Sequence, residues 1–469
     1  MKPKQISAFA SAALISFALT SQAQTIPDAH VWLSTPDHSS AFTEQPGALH
    51  FSAAAGDGAA IAVTDMQQFQ QIEGFGFAVT GGSAQLLMKM SAAKRSELLK
   101  LIFSPDGDGI GVSYIRLSIG SSDMNDHAYS YDDMPAGQAD PTLAKFSLAA
   151  DEGDVIPVVK EILAIDPQMK ILGSPWSAPT WMKTNDDVRG GQLKPEFYAA
   201  YAQYLTKYVE GMKAAGITIT AITVQNEPLN PKNTPSMVVF ADEEGAFIGK
   251  YLGPAFEAAG IETEIQVYDH NPDVPSYPLS ILADPVASKY VAGTAFHLYG
   301  GAAATFTAVH DAYPNKNLYM TEQSVTQRPG AQGLSIAEPV ESVMIGSTRN
   351  WSRNVLLWNL AADPHAGPHT NNGGCTGCYG AITLDGDKVT LNVAYYVAAH
   401  FSKFVRPGSV RIGSSEMDQL YTVAFLTPDG KIVLVVDNTG NFQKTFSIVY
   451  HGQSVTTTLP SESVATYVW

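Results

Sequence analysis

Eight short apolar runs, each closing on polar or aromatic residues and most of them separated by a stretch of helical periodicity, occupy the middle of this chain. They span 71–79, 112–119, 170–174, 219–225, 264–268, 291–298, 317–321 and 354–360. Strands that alternate with helices form a parallel sheet covered on both faces, and eight such units are what a closed barrel needs. The expected fold class is therefore α/β, a (β/α)8 TIM barrel. One intervening helix can be checked directly. Pro195 stands at its start, and Phe197, Tyr201, Tyr204, Leu205, Tyr208 and Met212 recur at steps of three and four. Gly216 follows its end. Its tyrosines are expected to pack against the barrel.

A barrel of about 250 residues leaves room in a chain of 469 for a second, smaller module. From about Val410 the pattern changes to strands at 421–426, 431–436, 445–450 and 464–469, with Pro428-Asp429-Gly430 and Asn438-Thr439-Gly440 as turns. This reads as an attached β-sandwich. The stretch 48–63 also reads as strand and turn, and can add strands to the same module. The expected domains are a signal peptide at 1–23, an N-terminal segment at 24–65 that contributes strands to the β-domain, the catalytic barrel at 66–400, and the C-terminal β-sandwich at 401–469.

The chain begins Met1-Lys2-Pro3-Lys4-Gln5, continues with an uncharged, mostly apolar run from Ile6 to Thr20, and reaches the small-x-small site Ser21-Gln22-Ala23. That is the pattern of a signal peptide cut after Ala23, and the run is shorter than the roughly 20 residues of a membrane span. A secreted or periplasmic protein is expected, with no stable membrane insertion. Removing Lys2 and Lys4 leaves 26 basic against 45 acidic residues, a net charge of −19. So acidic a surface repels nucleic acid and anionic lipid and favours a neutral substrate. A monomer is expected.

Cys375 and Cys378 are the only cysteines. In an exported chain so close a pair usually closes a disulfide that pins a loop. Zinc held with His365 and His369 is the alternative, but the helix or knuckle of known zinc sites is missing. A redox role would want a helix N-terminus behind the first thiol, and Gly373-Gly374 stands there instead. No metal and no cofactor is expected.

In a βα barrel the chemistry sits where the strands end. The fourth run closes on Gln225-Asn226-Glu227-Pro228 and the seventh on Thr321-Glu322-Gln323, which puts one glutamate at the rim from each of two strands facing each other across the mouth. Two carboxylic acids flanking one bond are what glycoside hydrolysis needs. Asn226 is placed to donate to a sugar 2-hydroxyl. Arg116 lies within the second run and Asp123 just beyond it, Trp176 and Trp181 follow the third, His297 and Tyr299 close the sixth, and Trp358 lies near the end of the eighth. Sugar rings stack on indole and bond through their hydroxyls to carboxylates, so tryptophan with aspartate is suitable wall material. Taken singly, each tryptophan is more often core, and a lone histidine is more often structural.

The motifs Gly74-Phe75-Gly76-Phe77-Ala78-Val79-Thr80, Tyr114-Ile115-Arg116-Leu117-Ser118, Ser174-Pro175-Trp176-Ser177-Ala178-Pro179-Thr180-Trp181-Met182-Lys183, Gln225-Asn226-Glu227-Pro228, Thr321-Glu322 and Trp358-Asn359-Leu360-Ala361 stand in the order in which they occur in glycoside hydrolase family 30. The chain resembles that family of glucosylceramidases and β-1,6-glucanases from about Gln70 to its end. The resemblance implies a retaining double displacement on β-glycosides, with Glu227 as acid/base and Glu322 as nucleophile. It also implies a glycone subsite lined by Asp123, Trp176, Asn226, His297, Tyr299 and Trp358, with Arg116 supporting the nucleophile. Family members often carry Gly-Gly-Ser-Phe-Thr-Asp after the first strand. Here the chain reads Gly76-Phe77-Ala78-Val79-Thr80-Gly81-Gly82-Ser83. With Asn372-Gly373-Gly374-Cys375-Thr376-Gly377-Cys378 after the eighth run, this looks most like the β-1,6-glucanase branch. A β-glucosidase or glucosylceramidase is the second reading. A non-catalytic sugar-binding protein would be expected to lack one glutamate, and no Gly-x-Ser-x-Gly elbow points to an esterase or protease.

Overall fold

The protein is described by a computed structural model that covers Met1 and residues 26–53, 59–328 and 333–469. The expected signal peptide, Met1 aside, lies outside the described residues. Among them no helix is long and apolar enough to cross a membrane.

Eight strands close into a barrel in sequence order: β1 (Gly74–Ala78), β2 (Tyr114–Ile119), β3 (Lys170–Pro175), β4 (Ala221–Thr223), β5 (Glu264–His270), β6 (Val291–His297), β7 (Asn317–Glu322) and β8 (Ser352–Leu357). Every neighbouring pair is parallel, β8 joining β1 to complete the ring. Each strand falls on one of the eight apolar runs. Their continuous hydrophobicity follows from burial on both faces, helices outside and packed side chains within; β2, for instance, is buried at every position. Inside the barrel Tyr114, Leu172, Ala221 and Leu356 pack together. Gly76 is required by close approach, since a Cβ there would lie 1.9 Å from the Tyr114 carbonyl oxygen of β2. The helix started by Pro195 forms as a 3-10 turn, Pro195–Phe197, running into Tyr198–Ala214, and Tyr201, Tyr204 and Tyr208 on it are buried.

The second module is a nine-stranded sheet. Its order is Gln453–Leu459, Lys444–Tyr450, Ala60–Gln71, Val410–Ser414, Leu420–Leu426, Ile432–Asn438, Ser463–Val468, His30–Ser34 and Thr43–Glu44. The N-terminal segment thus supplies strands to it, and its core includes Ile61, Val63, Leu434, Val436, Ile448 and Tyr467. The border differs from the expected one: the strand Ala60–Gln71 carries this module to Gln71 rather than 65. The physical reason is that its half-exposed, glutamine-rich end pairs antiparallel with Val410–Ser414, a partner that local periodicity does not reveal.

The helix Val393–Ser402 packs against both β1 and Ser463–Val468, and so joins the two modules. On it, His400 is 0% exposed. One ring nitrogen pairs with Thr466 Oγ1 and the other with Ser34 Oγ, each at 2.8 Å. Burial among hydroxyls lowers its pKa to about 3, so it is neutral. Arg411 forms another clasp, its guanidinium 3.6 Å above the Phe69 ring and 5.6 Å from that of Trp351.

Candidate active site

The mouth of the barrel is built where strands break. β4 is three residues long and stops at Thr223, so Glu227 stands beyond it in a left-handed conformation, φ 45°. Its N–H donates to the Asp269 carbonyl (3.0 Å) and its own carbonyl accepts from Asn230 N–H (2.8 Å). These bonds hold the strained turn and raise the carboxylate over the barrel. In β5, Tyr268 and Asp269 also have positive φ, and the pairing with β6 shifts register between Tyr268 and His270. Glu322 is the last residue of β7.

At the centre is Arg116, fully buried on β2. Nη1 donates to Glu322 Oε2 (2.5 Å), Nη2 to Asn226 Oδ1 (2.7 Å) and Asp269 Oδ2 (2.8 Å), and Nε to Ser174 Oγ (3.2 Å). Asp269 Oδ2 also accepts from Ser174 (3.1 Å) and Thr223 (2.8 Å), while Oδ1 accepts from Thr321 (2.6 Å) and faces His297 Nε2 at 3.1 Å. The other His297 nitrogen, Nδ1, lies 3.3 Å from Glu227 Oε1 and 3.6 Å from Glu322 Oε1. The two glutamates therefore meet over one imidazole. Tyr299 Oη donates to Glu322 Oε1 (3.0 Å). Asn230 and Asn233 amides donate to Glu227 Oε2 at 2.7 and 3.3 Å.

These contacts set the charges. Burial pushes the Asp269 carboxyl up, but Arg116, His297 and Thr321 hold it far below the usual carboxylate range. Burial would likewise neutralise His297, yet Glu322, Asp269 and Glu227 raise it to about 10. Burial raises Glu322, with His297 and Arg116 in opposition. Burial also raises Glu227, but the bond and charge of His297, with His270 and Asn230, outweigh it and bring the carboxyl down to about 2. These shifts favour the shared proton on His297 over Glu227. The imidazolium and the protonated Glu227 are two placements of one proton, 3.3 Å apart. Asp123, buried at the mouth, is raised well above its ordinary value by burial, then by Glu322 and Glu227.

Above the network opens a cavity of about 530 Å³ lined by Asp123, Trp176, Glu227, Tyr299, Glu322 and Trp358, among others. The Trp176 and Trp358 rings lie 5.5 Å apart, with Arg116 4.8 Å from the Trp176 centroid, and Trp176 Nε1 has no protein partner. Cys375 and Cys378 form a disulfide at the rim. Their loop rests on the loop after β4: Thr234 Oγ1 donates to the Asn372 carbonyl (2.6 Å), and Thr370 Oγ1 to that of Thr234 (2.5 Å). A Cβ on Gly373 would come within 2.6 Å of the Lys232 carbonyl, so glycine permits this contact.

Except for Trp181, the residues singled out for the site lie at this end of the barrel, but in two tiers. Glu227, Glu322, Asp123, Trp176, Tyr299 and Trp358 face the cavity, while Arg116, Asn226 and His297 lie beneath it. Trp181 is elsewhere, donating to the Asp132 carbonyl and packing on Phe197. Missing from the sequence reading were Asp269, His270, Asn230 and Asn233. The rule that located the others, inspecting the residues that close each run, also leads to Asp269, one residue past the fifth. Glu227, His270 and His297 each bring a potential metal-ligating atom within 4.8 Å of one another, but hydrogen bonds to Asp269 and Glu227 already occupy both nitrogens of His297.

Comparison with known proteins agrees with this arrangement. Residues 72–405 match the glycosyl hydrolase family 30 TIM-barrel domain, and 408–467 the glycosyl hydrolase family 30 beta sandwich domain. The chain is 36% identical over 425 residues to endo-1,6-beta-D-glucanase neg1 of Aspergillus fumigatus, covering 85% of each chain. It is 36% identical over 422 residues to endo-1,6-beta-D-glucanase BGN16.3 of Trichoderma harzianum, covering 85% of this chain and 84% of the relative. The solved structure of the endo-beta1,6-glucanase BT3312 has a TM-score of 0.86 at 34% identity, covering 94% of this chain and 99% of that one. A closed barrel carrying two glutamates on opposed strands, a β-module and these matches across both together mean that the chain belongs to glycoside hydrolase family 30.

Proposed function

We propose that this protein is an exported, retaining hydrolase of β-1,6-glucan. The observation that carries the mechanism is that Glu227 and Glu322 approach one nitrogen of His297 at 3.3 and 3.6 Å. Oxygens so placed are at most about 7 Å apart, which excludes most of the roughly 6.5–9.5 Å separation that an inverting pair uses to seat a water.

Glu322, its two oxygens fixed by Arg116 and Tyr299, attacks the anomeric carbon and forms a glycosyl ester. Glu227 protonates the departing oxygen with the proton it shares with His297, then takes a proton from the water that hydrolyses the ester. Asn226, its oxygen held by Arg116, offers its amide to the 2-hydroxyl. Trp176 stacks on the glucose ring, and Asp123 binds its outer hydroxyls.

The substrate reading rests on the relatives and on the pocket. A β-1,6 linkage has an extra exocyclic bond that lets the chain curl away from the barrel mouth, so a short cavity accepts it where a straight β-1,4 chain wants a cleft. Net acidity favours a neutral glucan, and the signal-peptide-like pattern of residues 1–23 supports export. Side-by-side rates on β-1,6-glucan, β-1,3-glucan, β-1,4-glucan, xylan and glucosylceramide test the specificity. β-1,6-Glucan should be fastest, and a preference for glucosylceramide would overturn the glucan reading. NMR of the first product should show the β-anomer; the α-anomer would overturn the mechanism.

A further inference from the structure

His270 is the last residue of β5, and nothing so far assigns it a task. Its side chain is 12% exposed and lines the cavity, and its Nδ1 is a buried nitrogen without a hydrogen-bond partner. Buried polar atoms are normally paired, so an orphan at the wall of a substrate cavity marks a place that a ligand completes. The orphan lies 3.8 Å from Glu227 Oε1. That is too far for a hydrogen bond, yet one oxygen can sit within bonding distance of both atoms. The far side of the Glu227 carboxylate is closed, because Asn230 and Asn233 already hold Oε2. Oε1 faces both His297, at 3.3 Å, and His270, so a departing oxygen protonated from Oε1 would lie on the His270 side.

We propose that His270 is a specificity residue for the leaving group, its Nδ1 hydrogen-bonding a hydroxyl of the sugar unit that departs; this rests on the glycosidase reading given above. The groups facing it are consistent with a neutral imidazole, able to donate or accept. Burial lowers its pKa and the positive His297 adds to that, while Glu227, Asp273 and Asp269 pull the other way. The neighbouring Asn271 has its Oδ1 engaged, accepting from Tyr299 N–H (2.9 Å).

The test compares two substrates of the same variant. A β-1,6-linked glucose trisaccharide has a sugar leaving group, whereas 2,4-dinitrophenyl β-glucoside has a flat one that departs unaided and carries no hydroxyl. His270→Ala should lower kcat/KM on the trisaccharide by a factor at least roughly tenfold larger than on the aryl glucoside. His270→Asn, which keeps a donor and an acceptor, should recover part of the difference. The pH profile on the aryl glucoside should keep its limbs. Equal losses on both substrates, with a lowered Tm, would mean a structural role and overturn the proposal. A moved alkaline limb with no change in the ratio would mean that His270 tunes Glu227 instead, and would also overturn it. If the wild type cleaves the aryl glucoside but not the β-1,6 trisaccharide, the substrate reading fails by itself. The same ratio, measured on whichever glucose disaccharide the wild type does cleave, then decides the role of His270.

Discussion

His297 and His400 are both 0% exposed, and their charges are opposite in kind. His400 lies between barrel and sandwich among hydroxyls, and burial takes its pKa down to about 3. His297 lies under the barrel mouth among Glu227, Asp269 and Glu322, which together outweigh the same burial and lift it to about 10. Burial alone therefore does not decide whether a histidine is charged; the partners do. The interface spends its histidine on holding two modules together, and the mouth uses its histidine to keep a proton next to a carboxylate. Their linkage to pH differs in sign. The His297 contribution to stability is full below the unfolded pKa near 6.5 and is lost as pH rises through about 10. The His400 contribution is full above 6.5 and is lost as pH falls towards about 3.

The largest expected effect concerns the mouth. Glu322→Gln should lower turnover roughly 10⁵-fold or more on every substrate, since no nucleophile remains. Glu227→Ala should still be glycosylated by substrates with activated leaving groups, and azide should restore turnover as a β-glycosyl azide. Absence of that product would refute the role given to Glu227.

Next comes the residue that links Arg116 to His297. Asp269→Asn removes a charge that takes five hydrogen bonds. Breaking one side of a buried ion pair costs about 3–5 kcal/mol in stability, and loss of a positioned charge lowers kcat roughly 10²–10³-fold. Because Asp269 helps to keep His297 charged, the alkaline limb of the pH profile should move to lower pH. An unmoved limb would mean that Asp269 only fills space.

That Asp269 was hard to see in the sequence is instructive. The barrel itself was legible because βα alternation is a local pattern, and Glu227 and Glu322 were legible because each closes an apolar run. Asp269 follows an apolar run that ends at Tyr268, and its importance depends on Arg116, Ser174, Thr223, His297 and Thr321, contributed by β2, β3, β4, β6 and β7. No local window contains those partners. For the same reason the strand Ala60–Gln71 ran past its expected border, its partner Val410–Ser414 lying more than three hundred residues along the chain. His400 had no signal at all, being one more polar residue on an apolar helix.

The interface offers a smaller effect that sharpens the comparison. Glutamine keeps a donor and an acceptor for Ser34 and Thr466 but does not titrate. His400→Gln should cost about 1 kcal/mol at pH 7. At pH 4 the wild type has lost on the order of 3 kcal/mol of the His400 contribution, because its unfolded chain binds a proton that the folded one refuses. The variant should then be the more stable of the two. Denaturant midpoints at pH 7 and pH 4 measure this, and a parallel decline of both proteins would show that His400 is not the group responsible.

The smallest effect is expected at the rim of the mouth. The Cys375–Cys378 disulfide spans a sequence separation of 3, and closing so short a loop restricts the unfolded chain by no more than about 2 kcal/mol. Thr234 and Thr370 already tie the same loop to the loop after β4, so much of its position survives reduction. Yet Cys375 and Cys378 line the cavity, and Cys378 packs with Trp176 and Trp358, so what their bond fixes is the shape of the wall a sugar meets. The double variant Cys375→Ser, Cys378→Ser should therefore lose at most a few degrees of Tm while KM for a β-1,6-glucan rises several-fold and kcat changes little. A large fall in Tm with unchanged KM would reverse the assignment, making the disulfide a support of the fold and leaving the cavity wall to the hydrogen bonds of Thr234 and Thr370.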